Sequence, residues 1–278
     1  MPYLTVGSEK KSEIKLSYAD YGEGSPVVLI HGWPLSHRMW EKQISALVEA
    51  GHRVIAYDRR GFGESYKPWT GYEYDTLAAD LNVLLTELDL QEVVLVGFSM
   101  GGGEVARYIG TYGSERVSKA VLMSSVTPYL LKTVDNPSGV DQSVFTGMES
   151  GLMKDRPGFL EQFTKMFVNW DADGKTLLSE AALRHSWDIA VWASPKASID
   201  CVKAFSATDF RADLAKFTIP TLVLHGDADQ IVPFHVSGEL IKKHIPTSEL
   251  VIIAGGAHGL TYTQPEKVNQ ALLTFIAK

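Results

Sequence analysis

The stretch VVLVGFSMGGGEVA, from Val93 to Ala106, forces a strand to become a helix within a few residues. Its apolar run lacks polar alternation, as does a parallel strand buried on both faces. The residues that follow can start a helix. Between the two stands Gly97-Phe98-Ser99-Met100-Gly101, a G-x-S-x-G sequence. A corner this tight holds Ser99 in a strained conformation with its hydroxyl exposed. The flanking glycines let strand and helix backbones approach without Cβ clashes. The new helix also aims free amides and the positive end of its dipole at that hydroxyl. Ser99 is thus a candidate nucleophile. The bland alternative is an idle serine in a glycine-rich turn, and the strand before it and helix after it weigh against that.

The rest of the chain fits a sheet around this corner. EIKLSYADYG alternates apolar and polar residues, as a strand with one wet face does. SPVVLIHG, HRVIAYDRRG and SKAVLMSS each contain a short buried-strand run, and YDTLAADLNVLLTELDL has helical spacing. This alternation predicts a mostly parallel sheet with helices on both faces. From Thr127 to Asp209 the strand-like runs vanish, and Pro128, Pro137, Pro157 and Pro195 punctuate helical pieces. Sheet periodicity returns at IPTLVLHG and SELVIIAG, and QPEKVNQALLTFIAK closes the chain as a helix. Residues 1–126 and 210–278 are therefore expected to form an α/β core, with 127–209 inserted as a helical cap. A chain of 278 residues is long enough for one such domain.

Composition narrows the function classes. The net charge of −7 argues against a nucleic-acid surface and gives no polybasic membrane patch. The single cysteine, Cys201, permits no internal disulfide and no CxxC metal or redox spacing. It reads as a small packed side chain. The first residues lack a signal pattern and no apolar run reaches the length of a membrane span, so a cytoplasmic protein is expected.

A serine hydroxyl needs a base. His258, in IIAGGAHGLTYTQPE, follows the last predicted strand, and α/β sheets place their sites at the carboxyl ends of strands. His31, in LIHGWP, is the main rival, but it reads better as a brace for its own loop. His225 reads as a strand-end residue, and His37, His52, His185, His235 and His244 as surface or packing residues. The base in turn needs a carboxylate to fix its tautomer. HGDADQIVP offers Asp227 and Asp229, and spacing alone does not separate them. Asp229 is preferred, with Asp227 as turn former and runner-up. The order Ser99, Asp229, His258 is the order expected for this architecture. For an oxyanion, Met100 supplies one N–H at the helix start. Pro34 has none, so the second donor is expected from Trp33. YDRRGFGES lacks the glycine pattern of a phosphate loop and reads as a turn, with Asp58 pairing Arg59 or Arg60.

Together these residues resemble the α/β-hydrolase fold over nearly the whole chain. HGWPLSHRMWEKQ, YDRRGFGES, VGFSMGGGEVARY, KAFSATDFRADL and LHGDADQIVPF are similar to the cofactor-free bacterial haloperoxidases, a group that includes perhydrolases, aryl esterases and γ-lactamases. The resemblance implies Ser99 as nucleophile, Asp229 as acid and His258 as base, with an oxyanion hole from the Trp33 and Met100 amides. It implies no cofactor and no metal, a small ester or acid as substrate with hydrogen peroxide as a second one, and a trimer or hexamer. Trp33, Pro34 and Phe98 are the positions expected to select between acceptors. In that family proline after the oxyanion tryptophan accompanies perhydrolysis, and the chain has Pro34 there. Proline restricts the residue before it, and so fixes the direction of the Trp33 carbonyl. The sequence departs from the family at Gly256-Ala257, where proline often precedes the histidine, so a looser loop is expected. Lactam cleavage on the same triad, and a non-catalytic small-molecule receptor on a hydrolase scaffold, are the alternatives.

Overall fold

The computed structural model describes residues 1–170 and 178–278. Residues 171–177 of the expected cap lie outside the described residues. The strands are β1 (Tyr3–Glu9), β2 (Ser12–Tyr21), β3 (Pro26–Ile30), β4 (Arg53–Tyr57), β5 (Val93–Phe98), β6 (Val117–Met123), β7 (Thr221–Gly226) and β8 (Glu249–Ile253). They form one sheet in the order β1-β2-β4-β3-β5-β6-β7-β8. The β1–β2 and β2–β4 pairs are antiparallel, and all the others are parallel. The helices are α1 (Glu41–Glu49), α2 (Tyr74–Glu87), α3 (Met100–Tyr112), α4 (Gln142–Phe167), α5 (Glu180–Val191), α6 (Pro195–Ala207), α7 (Arg211–Leu214), α8 (Gly238–His244), α9 (Leu260–Thr263) and α10 (Pro265–Ile276).

The apolar runs became the central strands for a simple reason. Every residue of β5 is buried, as is every residue of β7, because helices cover the sheet on both faces. β2 keeps exposed residues at alternate positions in its first half, as its alternating sequence predicts. β1 gave no such signal. It lies at the sheet edge with no fully buried residue, and its pairing with β2 determines it.

Between β6 and β7 the described residues contain helices α4 to α7 and no strand of the sheet. α4 bends at Asp155, whose φ/ψ of −155° and 86° are not helical, two residues before Pro157. Proline cannot donate to the helical ladder and crowds the preceding turn. α6 starts where Ser194 caps the Ala197 N–H and Pro195 occupies the first turn. Among the described residues no helix is long and apolar enough to cross a membrane.

The charges of the turn after β4 do not pair with each other, which corrects the sequence expectation. Asp58 accepts from the His37 ring Nδ1 at 2.8 Å and from the His37 and Glu64 backbone N–H groups. Arg59 pairs with Glu104 on α3 at 2.7 Å, both side chains being within 1% of full burial. Arg60 makes a two-pronged bond to Asp80 on α2, each arm 2.6 Å. The Tyr57 hydroxyl also donates to Glu104, so this carboxylate ties the end of β4 to α3. Removing one member of a buried pair strands the other charge, which typically costs 3–5 kcal/mol, whereas exposed pairs contribute about 1 kcal/mol or less. Glu104→Ala is expected to lower the urea-unfolding free energy by about 3–5 kcal/mol. Glu64→Ala, which breaks the exposed Arg38 pair, is expected to lower it by less than about 1 kcal/mol.

Candidate active site

Ser99 sits on the corner between β5 and α3 with φ 54° and ψ −116°. A side-chain-bearing residue reaches that region only under strain. Surrounding bonds hold it there: Ser99 N–H donates to Met123 O at 2.8 Å, and Ser99 O accepts from Gly102 and Val126. The corner does not turn the hydroxyl to bulk solvent, as the sequence reading anticipated. Ser99 is 6% exposed and lines a small, partly open cavity.

Three distant side chains meet at that hydroxyl. His258 Nε2 lies 2.9 Å from Ser99 Oγ, and His258 Nδ1 lies 2.6 Å from Asp229 Oδ2. With Nδ1–H donating to the carboxylate, Nε2 is free to accept the serine proton. The imidazole is fully buried between the rings of Phe98 (5.0 Å) and Phe167 (5.2 Å). Asp229 Oδ1 accepts from the Ile231 and Val232 N–H groups at 2.9 and 2.8 Å. Burial pushes its pKa up, but the charges and hydrogen bonds of His258 and His225 outweigh burial and hold the carboxyl well below the usual range.

Asp227, the runner-up, points elsewhere. It is exposed and accepts from Gly255 N–H at 2.7 Å. That bond, with Ala228 N–H to Gly256 O (3.1 Å) and Gly259 N–H to Phe167 O (2.7 Å), ties down the approach to His258. The glycine-rich loop expected to be loose is thus pinned on both sides. His225 is more than a strand-end residue. Its Nε2–H donates to Val232 O at 2.8 Å and stands 3.4 Å from Asp229 Oδ2, so it supports the carboxylate from behind. Sequence reasoning missed this role, although the i, i+4 spacing of His225 and Asp229 was available as a signal.

The loop after β3 closes the other side. A Cβ on Gly32 would fall 3.1 Å from Ser99 Cβ and 2.6 Å from Phe98 Cδ1, so only glycine brings this backbone so near the serine. Among the described residues, neither the Trp33 N–H nor the Met100 N–H has a protein acceptor. The Trp33–Pro34 peptide is cis. The Trp33 indole donates to Ser198 O at 3.0 Å and packs edgewise on Phe163 and Phe205. Phe98 is fully buried, packs against the His258 ring at 5.0 Å and is not among the residues lining the cavity. Pro34 is also buried and outside the cavity lining. Cys201 is buried, and burial pushes its thiol pKa up.

The cavity is small, about 50 Å³, and Ser99 supplies its hydroxyl. Trp33, Leu130, Phe145, Met148, Phe163 and Phe205 line it. Among the described residues no charged side chain lines it. Among the described residues no cluster of histidine, cysteine or carboxylate side chains could hold a metal ion.

This fold and this geometry define a class. Residues 25–265 match the alpha/beta hydrolase fold family, and the chain belongs to it. It is similar to a bromoperoxidase of known structure from Bacillus anthracis, with 53% identity, a TM-score of 0.96, and 100% of this chain and 99% of that one covered. It is 43% identical to a non-heme chloroperoxidase of Kitasatospora aureofaciens over the full length of both chains. It is 37% identical to a bifunctional esterase/perhydrolase of Acinetobacter calcoaceticus over 99% of each.

His31 has the bracing role expected of it. Its Nε2 accepts from Arg59 N–H at 3.0 Å, which places its proton on Nδ1, facing Gly32 O at 2.8 Å. Burial, with the neighbouring Arg59 charge, pulls its pKa from 6.5 to about 3. The unfolded chain therefore takes up a proton as pH falls below 6.5 while the folded chain does not, and stability is lost between pH 6.5 and 3. His31→Gln is expected to be less stable at pH 7. Its unfolding free energy should fall less steeply with acid over that window, by about one proton in the linkage slope. Urea unfolding at a series of pH values checks the slope.

Proposed function

We propose that this protein is a serine hydrolase of small carboxylic esters that also transfers the acyl group to hydrogen peroxide. The observation that carries the proposal is the continuous path of hydrogen bonds from Ser99 Oγ through His258 to Asp229 at the floor of a small apolar cavity. In this reading Ser99 attacks the ester carbonyl while His258 takes its proton. Asp229 stays ionised and holds the imidazolium that forms. The Trp33 and Met100 N–H groups receive the oxyanion. A single such donor contributes roughly 3 kcal/mol to the transition state in comparable sites. His258 returns the proton to the leaving alcohol, and acyl-Ser99 remains. Water then gives the carboxylic acid, and hydrogen peroxide gives the percarboxylic acid, which oxidises halide in solution. The names of the chloroperoxidase and esterase/perhydrolase relatives agree with both outcomes.

The cavity supports the substrate class. At about 50 Å³ the cavity is small beside the roughly 300–1,000 Å³ of pockets that hold drug-sized ligands. The acyl group is therefore short. It is uncharged as well, because no ionic partner is at hand to offset burial of a charge. We assign residues 127–209 as the cap that shapes this cavity, over the core of 1–126 and 210–278. A trimer or hexamer and a cytoplasmic location belong to the same proposal.

A fluorophosphonate probe is expected to label Ser99 in the folded protein, and Ser99→Ala to lower kcat on p-nitrophenyl acetate by roughly 10⁴- to 10⁶-fold without loss of fold. An unlabelled Ser99, or wild-type turnover by the variant, would favour a receptor on a hydrolase scaffold. Faster turnover of a bicyclic γ-lactam than of the aryl ester would point to a lactamase instead.

Pro34 carries the peroxide half of the proposal. Its ring restricts the Trp33 backbone, and a Trp33 carbonyl held toward acyl-Ser99 can accept a hydrogen bond from peroxide, which donates from both oxygens. Pro34→Leu is expected to lower the ratio of peracid to acid formed from one acyl-enzyme while ester consumption changes less. An unchanged ratio would remove Pro34 from acceptor selection.

A further inference from the structure

One group in the cavity takes no part in acyl transfer. Met148, on α4, is half-buried and lines the same space as Ser99. A thioether is indifferent to esters, water and carboxylic acids. It reacts readily with an electrophilic peroxy oxygen.

We propose that Met148 is a self-modification site, converted to methionine sulfoxide by the percarboxylic acid formed at Ser99. The proposal rests on the perhydrolase reading above. The step needs no further reagent. A sulfur lone pair attacks the terminal oxygen of the peroxy group, the S–O bond forms, and the O–O bond breaks. The peroxy proton passes to the departing carboxylate. Sulfur is oxidised by two electrons, and the peracid is reduced to the carboxylic acid.

Exposure singles out Met148 from the other six methionines. Met39, Met100 and Met123 are 1% exposed or less, so an oxidant does not reach them in the folded protein. Met1, Met153 and Met166 are 46%, 68% and 48% exposed, and they meet peracid only after it has diluted into solvent. Met148 meets each molecule at the moment of its formation, within the cavity. The consequence follows from the wall chemistry. The Trp33 indole N–H is already committed to Ser198 O. A sulfoxide oxygen on Met148 would put a polar group among the apolar side chains of the wall and would displace the apolar acyl group. Inactivation then tracks peracid made, and not peroxide present.

The experiment incubates wild type with a short aryl ester plus hydrogen peroxide, with peroxide alone, and with externally added peracid. Ser99→Ala with ester plus peroxide is the fourth arm. Peracid is followed by bromide-dependent halogenation of a reporter, and each methionine by peptide mass spectrometry. Sulfoxide at Met148 is expected to run ahead of Met153 and Met166 in the turnover arm alone, with activity falling in step. Met148→Leu, measured against its own starting rate, is expected to survive several-fold more peracid formed per enzyme. The proposal is overturned if peracid accumulates while Met153 oxidises as fast as Met148, or if Met148→Leu inactivates like wild type. If wild type forms no peracid, the perhydrolase reading falls, and this proposal with it.

Discussion

A Cβ on Gly101 would lie 2.3 Å from the Ile30 carbonyl oxygen, at the end of β3. That contact sets how near α3 approaches the sheet, and most of the site depends on it. Because the helix starts against β3, Ser99 is held at φ 54° between β5 and α3. The Met100 amide lies at the same corner as the loop carrying Trp33. The strain at Ser99 is local, and the bonds from Ser99 to Met123, Gly102 and Val126 over-determine it. A larger residue at position 101 would not simply add volume. It would push α3 away from the loop that the proposed oxyanion hole needs.

Buried charge secures the same corner from behind. Glu104, on the helix that Ser99 opens, receives Arg59 and Tyr57, and Arg59 also donates to the His31 carbonyl at 2.8 Å. His31 stays neutral beside that cation and spends both ring nitrogens on backbone groups. The loop of Gly32 and Trp33 is therefore fixed to α3 through a chain of fully buried polar contacts. Such pairs contribute little net stability over an apolar replacement, but they tolerate few alternative arrangements. For a site whose backbone donors must stand ready before the substrate arrives, that geometric demand matters more than the energy.

Much of this could be read in the residues, and the boundary of what could be read has physical causes. β3, β5 and β7 announce themselves because each is largely buried on both faces and so is dominated by apolar residues. β1 does not, since an edge strand is specified by its partner's hydrogen bonds and not by its own side chains. Ser99, His258 and the two aspartates stand out because each follows a strand. The choice between Asp227 and Asp229 turns on backbone direction within one turn, which spacing does not encode. The DRR turn fails for another reason. Its three adjacent charges find partners at His37, Glu104 and Asp80, on elements that only the tertiary fold brings near. Phe98 is absent from the residues lining the serine's cavity and packs instead against the imidazole of His258, a tertiary contact that spacing does not encode.

The helical segment between β6 and β7 does more than cover the site. Phe167, at the end of α4, flanks the His258 ring and receives the Gly259 N–H, and Asn169 donates to Ala228 O at 2.8 Å, next to Asp229. The same helix carries Phe145, Met148 and Phe163 on the cavity wall. One element thus touches both the loops that position the proposed acid and base and the space that would receive the acyl group. A substitution on α4 that reshapes the cavity is therefore coupled to the geometry of the proposed triad through Phe167. Changes of substrate and changes of turnover should separate poorly when they are made on that helix. α6 reaches the same cavity through Phe205 and holds the Trp33 indole through Ser198 O.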